Sequence, residues 1–196
     1  MYYIKKLKCT LIMLISVICV KAYGQQYLVT YQMKTEVKSV KIKNEMGVFN
    51  IPIKIVYTCI GNKDSSKIYF ANLKKDGINK DDNTAINSNI NLPDYILFLN
   101  GNSYNFKDGK KILIPIDSSK IIKTNKTKSI LGYKCILYFL QNPNKDIKSE
   151  AWVCNALPNT LMPGGGMKPL DGAILEFYEP TTKMQFLSTS VKKLKK

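Results

Sequence analysis

Alternation of apolar and polar residues dominates the sequence and predicts β-strands. β-Branched and aromatic residues at every second position suit a pleated, half-buried strand. We predict strands at 27–33, 51–58, 67–70, 95–99, 103–106, 111–116, 133–140, 147–154, 173–178 and 183–191. Asn100-Gly101 and Asp108-Gly109 lie between three of these strands and favour tight hairpin turns. Closely spaced strands joined by such turns indicate an antiparallel meander.

Helical spacing is rare along the chain. No long segment repeats apolar residues with the helical period, and the best short helical candidate is Asn155–Met162, followed by the helix-breaking run Gly164–Gly166. Asp76–Asn91 is polar and is typical of a long loop. We therefore predict a mainly β fold with little helix: a single curved antiparallel sheet or half-barrel.

The N-terminus has the three parts of a secretory leader. They are a positive region at Lys5–Lys8, an apolar run at 9–20 and a small-x-small site at Ala22-Tyr23-Gly24. The apolar run is too short to span a bilayer, and Cys19 follows Ile18 rather than the small residue of a lipoprotein site. A soluble exported product is favoured over a lipoprotein or an uncleaved anchor. We divide the chain into a signal peptide at 1–24, one β-rich domain at 25–192 and a basic tail at 193–196, and we expect it in the periplasm or at the outer membrane.

The charged residues exclude several classes of function. The formal net charge is +16, all thirty basic residues are lysine, and histidine is absent. Without histidine no Ser-His-Asp or Cys-His site can form, and zinc loses its commonest ligand. Without arginine, bidentate recognition of guanine or phosphate is lost. We therefore expect no enzyme activity, no metal or cofactor and no nucleic-acid partner; the lysines form a solvated surface or attract anionic lipid or polysaccharide weakly.

Three other motifs lack the residues or the spacing that a phosphate-binding, glycosidase or calcium site requires. Gly164–Gly166 leads into Met167-Lys168-Pro169 rather than the Gly-Lys-Ser/Thr of a phosphate-binding loop. Glu176 and Glu179 would point to opposite faces of one strand, which does not suit a glycosidase pair. Asp81-Asp82-Asn83 lacks the glycine and distal glutamate of a calcium loop.

The cysteines of the mature chain predict one disulfide. If Asn144 and Lys145 form the centre of a hairpin, Cys135 and Cys154 stand opposite each other on the two strands, within reach of a bridge. Such a bridge suits an exported chain. Cys59 belongs to an alternating strand and more often packs in a core than reacts.

Three motifs occur in order in the C-terminal half: Ile130–Cys135, then Ala151-Trp152-Val153 with Leu157-Pro158, then Pro169–Glu176. In this order they resemble the GLPGLI family of secreted Gram-negative envelope proteins. The chain is also similar to uncharacterised envelope domains with a LolA-like sheet. The family offers no established reaction and so implies no catalytic residues. It implies structural positions, as turn or close-approach glycines and core residues: Gly132, Tyr133, Trp152, Pro158, Leu170 and Gly172.

Two functions remain open at this stage. We expect a non-catalytic envelope protein that binds an apolar or lipid-like ligand, or a partner protein, because aromatic residues on a curved sheet could line a pocket. The alternative is a structural or adhesive surface protein whose core is filled by its own side chains. An enzyme that relies on lysine, serine or carboxylates would need a lysine of depressed pKa in a pocket, and no spacing indicates one.

Overall fold

A computed structural model describes residues 24–42, 45–70, 93–141 and 147–195, with only the backbone in 36–54. The predicted leader up to residue 23, the predicted loop Asp76–Asn91 and the hairpin centre at 142–146 lie outside these ranges. The described residues form eleven strands: β1 Tyr27–Ile42, β2 Glu45–Gly61, β3 Ser65–Phe70, β4 Tyr95–Leu99, β5 Asn102–Lys107, β6 Lys110–Ile114, β7 Lys120–Ile130, β8 Tyr133–Gln141, β9 Lys148–Cys154, β10 Ala173–Glu179 and β11 Met184–Lys193. They contain no helix.

All eleven strands belong to one antiparallel sheet in the order β6-β5-β4-β3-β2-β1-β11-β10-β9-β8-β7. β1 is central and pairs with β2 on one side and β11 on the other. Each other strand neighbours the strand before or after it in sequence, so the fold consists of two meanders joined at β1 and β11.

Three tight turns explain the regular hairpins. Both central residues have positive φ at Asn100-Gly101 (51° and 79°), Asp108-Gly109 (49° and 72°) and Leu131-Gly132 (52° and 82°). This is the type I′ turn, whose twist matches that of the strands it joins.

The connection between β6 and β7 requires the sheet to curve strongly. These two strands form opposite edges of the sheet, and a flat sheet would place them about 48 Å apart at the usual strand spacing. Only residues 115–119 join them, and that length of chain reaches about 20 Å. The sheet therefore bends until its edges approach, although β6 and β7 do not pair with each other.

The core lies on the concave face. Tyr31 and Tyr57 are buried there with ring centroids 5.5 Å apart, and Ile68 and Ile96 continue the buried row across β3 and β4. The next residues along the strands are exposed: Val56 retains 43% and Tyr69 39% of their accessible surface. This alternation is the pattern from which the strands were predicted.

The structure confirms the mainly β fold and the curved antiparallel sheet, and it corrects three details. β7 was not predicted. Asn155–Met162 was the best short helical candidate but forms irregular turns, and its Thr160 carbonyl accepts a hydrogen bond from Ser66 of the sheet rather than from a helical N–H. The predicted tail is partly ordered: Lys193 ends β11, and the Leu194 N–H donates to the Gln26 carbonyl at 2.9 Å. In the described part of the chain, no helix is long and apolar enough to cross a membrane.

Candidate functional site: a groove on the concave face

A long connection between β9 and β10 runs across the concave face. We call residues 155–172 the inner segment. Leu157, Leu161, Met162 and Leu170 of this segment are buried, with at most 5% of their surface accessible. Because these side chains pack against the sheet, the inner segment forms a second layer within its curve.

Hydrogen bonds fix the inner segment to β2 and β3. The Tyr57 hydroxyl donates to the Pro163 carbonyl at 2.5 Å, and the Ser66 hydroxyl donates to the Thr160 carbonyl at 2.6 Å. The Thr160 hydroxyl donates to the Asn62 carbonyl. A buried irregular segment needs such partners because its backbone groups cannot reach water.

The glycine run lets the inner segment press against β6 and the 115–119 connection. A Cβ on Gly165 would lie 2.4 Å from Ile114 Cδ1, so only glycine fits without movement of that side chain. Gly166 has φ +76°, and its carbonyl accepts a 2.7 Å hydrogen bond from the Asp117 N–H. The role of the run here is close packing of two chain segments.

An apolar groove of about 500 Å³ remains beside the inner segment. Its walls come from the end of β6, the 115–119 connection, the glycine run and the concave face of β8–β11. The residues that line it are Ile114, Pro115, Ile116, Asp117, Ser118, Leu140, Ser149, Gly164, Gly165, Gly166, Met167, Phe177 and Phe186. We take this groove as the candidate binding site.

A smaller polar cavity of about 290 Å³ adjoins the groove and shares Asp117, Leu140 and Ser149 with it. It contains a second carboxylate, Glu179. Burial acts to raise the pKa of Glu179, but hydrogen bonds from Thr182 and Thr181 outweigh burial and lower this pKa to about 2. Glu179 is therefore ionised at neutral pH. The groove has an apolar body and a polar, negatively charged end.

Titratable groups in the core remain neutral. Burial raises the pKa of Tyr31 and of Tyr57 well above the usual value, and it raises the pKa of the Cys59 thiol to about 12. No group of three or more His, Cys, Asp or Glu residues among the described positions could hold a metal ion.

The structure places Cys135 and Cys154 as the predicted hairpin register requires. Ile136 pairs with Val153 and Gln141 with Lys148, which sets the two cysteines opposite each other at the end of this ladder. The predicted disulfide is not seen, however: Cys135, Cys154 and Cys59 are buried free thiols. Cys135 Sγ instead donates to the Tyr133 carbonyl at 3.5 Å.

The other motif residues lie outside the groove. Gly132 supplies the positive φ of the β7–β8 turn, and Tyr133, which begins β8, is half-buried. A Cβ on Gly172 would lie 2.1 Å from the Cys154 carbonyl oxygen. Trp152 is half-buried beneath the Lys128 ammonium, which is 4.3 Å from the ring centroid and also forms a 2.7 Å ion pair with Glu176.

Pro158 and Leu170, like Gly172, belong to the inner segment. The Pro158 carbonyl accepts a 3.1 Å hydrogen bond from the Leu161 N–H and so closes a turn, and Leu170 is buried in the core. Sequence reasoning missed the groove itself, for which Phe177 and Phe186 are central. Both residues lie on strands that the sequence predicts. The cavity that they share forms only because residues 114–118 and 164–167 fold back upon them.

The fold is similar to that of PNGF-II, solved in the C2 and P21 space groups. The TM-scores are 0.52 and 0.53, at 16% and 17% sequence identity. The matches cover 88% of this chain but 28% and 29% of the PNGF-II chains, so this chain spans less than a third of their length. At such identity the likeness shows the fold alone. No family model matches the sequence, and no curated protein does.

Proposed function

We propose that this chain is an exported, non-catalytic protein of the cell envelope that binds an apolar, lipid-like ligand in the concave groove. The groove carries the proposal. Its volume of about 500 Å³ lies within the range of small-molecule sites, and its walls are mainly aliphatic and aromatic.

The shape of the site favours an acyl chain. Each methylene group that leaves water contributes about 0.8 kcal/mol, so a chain along Ile114, Met167 and Phe177 would be held without polar contacts. The adjoining polar cavity, with Asp117 and Glu179, would leave the other end of the ligand hydrated.

Export is supported by the sequence. The leader-like N-terminus and the resemblance of residues 129–192 to secreted GLPGLI proteins both favour the periplasm or the outer membrane. Cell fractionation, with mass measurement of the mature chain, tests this point independently of binding. A full-length chain in the cytosol would refute export.

A binding titration with the methyl ester of cis-parinaric acid, an uncharged fluorescent fatty-acid derivative, tests the groove without bringing a carboxylate toward Asp117 and Glu179. Ile116→Asp places a charge on the groove wall at a residue that is already 38% exposed. We expect it to weaken binding about tenfold, which corresponds to about 1.4 kcal/mol. The matched control is Leu131→Asp, at a turn 45% exposed and with φ 52°, a conformation aspartate tolerates.

The result separates the possibilities. Weaker binding by Ile116→Asp alone, together with lipid found by native mass spectrometry of the purified protein, supports the proposal. Equal binding by both variants, or no binding by the wild-type chain, refutes it.

A structural or adhesive surface protein is the second candidate. One observation favours it: the inner segment fills much of the concave face, with Leu161 wholly inaccessible to solvent. A wild-type chain that binds no fatty acid, yet folds stably and reaches the cell surface, would support this candidate.

The export proposal includes the bridge between Cys135 and Cys154. The turn at Leu131-Gly132 makes Ile130 and Tyr133 a hydrogen-bonded pair, so Cys135 and Cys154 form a non-hydrogen-bonded pair with Cα atoms about 4.5 Å apart, within bridging distance. Each thiol would lose a proton, and two electrons would pass to a disulfide oxidant that becomes a dithiol. Burial raises the pKa of Cys135 to about 12, so the exchange should occur during folding. Refolding with glutathione disulfide should protect these two thiols from alkylation; three reactive thiols would contradict the bridge.

A further inference from the structure

Within the part of the chain that the structure describes, β6 is an edge strand whose outward backbone groups have no partner. The type I′ turn at Asp108-Gly109 makes Lys107 and Lys110 exchange both of their hydrogen bonds. Because hydrogen-bonded and non-bonded pairs alternate, Ile112 and Ile114 also bond to β5. The N–H and C=O groups of Lys111 and Leu113 therefore point away from the sheet. The Phe106 carbonyl supports this assignment, since it accepts from the Asp94 N–H on the β4 side at 2.8 Å.

Two side chains of β6 are unusually exposed for apolar residues of an edge strand. Ile112 is 56% and Leu113 58% exposed, the highest values among the exposed large apolar residues of the described chain. They lie on opposite faces of the strand. Proteins normally protect such edges with charge, bulges or a covering segment.

β7, the strand at the opposite edge of the sheet, has features that protect an edge from pairing with another chain. β7 carries four lysines (Lys120, Lys123, Lys126 and Lys128), and its pairing with β8 is interrupted between Lys123 and Thr127. In β6, by contrast, the pairing with β5 is regular over all five residues. The Lys111 ammonium folds back to 4.0 Å from the centroid of the Tyr104 ring and so leaves the backbone edge open.

We infer that β6 accepts an extended segment of another polypeptide as an added strand, and that this segment alternates apolar with acidic residues. Main-chain bonds to Lys111 and Leu113 would provide affinity. Because the added strand alternates, its apolar side chains share one face and would contact Ile112 and Ile114, while its acidic side chains share the other face and would meet Lys111. A second copy of this chain fits less well because it brings the same lysines and a net charge of the same sign, +16.

The test uses the whole chain and two synthetic peptides, one of alternating valine and glutamate and one of alternating valine and lysine. Hydrogen exchange should show slow amides at Lys111 and Leu113 only with the glutamate peptide. Leu113→Pro removes an outward N–H but no bond to β5, and we expect about tenfold weaker binding than for Leu113→Ala, which keeps the N–H.

Charge reversal provides a second variant that leaves the backbone intact. Lys110→Glu with Lys111→Glu should reverse the preference, so that the lysine peptide binds better. Equal binding by the proline and alanine variants, slow exchange at both amides in the free monomer, or dimers that exclude the peptide would each overturn the inference.

Discussion

The concave face has two parts with opposite properties. In the sealed part, Tyr57, Cys59 and Ser66 lie beneath the inner segment and are at most 2% exposed. In the open part, Phe177 and Phe186 are only partly buried and line the groove. The same sheet therefore supplies both a filled core and a cavity, and the path of the inner segment decides where each lies. Stability should depend on the sealed part, and ligand binding on the open part.

The largest expected effect is at Gly172, where the inner segment returns to the sheet. Gly172→Ala would place a Cβ 2.1 Å from the Cys154 carbonyl oxygen and 2.7 Å from Asn155 Cα, and neither backbone atom can move freely. We expect a loss of about 4 kcal/mol or more in the free energy of unfolding, measured by urea denaturation.

Gly132→Ala is the matched control for this substitution. Its φ of +82° strains alanine, but nothing lies within 4 Å of the added Cβ, so about 1–2 kcal/mol should be lost. Similar losses at the two glycines would show that the inner segment is not rigidly seated.

Truncation of one apolar side chain in each part compares how much the sealed part and the open part contribute to stability. Leu161→Ala in the sealed part should cost about 3 kcal/mol, since the side chain is wholly buried. Phe177→Ala in the open part should cost about half as much, because its surface is already partly solvated. Only Phe177→Ala should change fatty-acid affinity; a binding defect in a folded Leu161→Ala protein would contradict the division.

Tyr57→Phe tests a single bond in the sealed part. It removes the hydroxyl that donates to Pro163 and leaves a buried carbonyl without that donor, for an expected loss of about 1–3 kcal/mol. Tyr69→Phe, at a ring 39% exposed, should change stability by less than about 0.5 kcal/mol. Equal effects of the two substitutions in thermal denaturation would count against the bond.

The smallest expected effect concerns acid at the polar end of the open part. Hydrogen bonds from Thr182 and Thr181 lower the pKa of Glu179 to about 2 in the folded protein despite the opposing effect of burial. A depressed folded pKa means that Glu179 contributes stability above its unfolded pKa, and this contribution disappears as the pH falls from about 4.5 to about 2. Glu179→Gln should flatten that part of the stability profile. If the dependence of stability on pH is unchanged, the Glu179 carboxylate does not stabilise the turn that contains Thr181 and Thr182.

Local sequence patterns predicted much of the sheet, because tight turns and strand alternation depend on residues that are neighbours in the sequence. Tyr95–Leu99 was predicted to the residue, and the register of β8 with β9 followed from the assumed hairpin centre. β7 was missed because its middle, Lys123–Ser129, has no apolar residue, as befits a charged edge.

The site could not be predicted in the same way. Asn155–Met162 has apolar residues near helical spacing, but the Thr160 carbonyl accepts from Ser66, and the carbonyl of the next residue after this range, Pro163, accepts from Tyr57. Both donors are about a hundred residues away in sequence. The groove likewise requires Ile114, Met167 and Phe186 to meet in space. Local secondary-structure propensity does not predict contacts between residues that are distant in sequence. The cavity can therefore be identified only from the tertiary fold.

The central pairing of β1 with β11 governs the order of assembly. Tyr27 pairs with Lys193, and most of the sequence lies between these two residues. One side of β1 therefore has no partner strand until β11 has been synthesised. Folding dominated by such distant pairings is slow. The sheet can therefore close only after its last strand has been synthesised, and such late folding would suit the export proposed above.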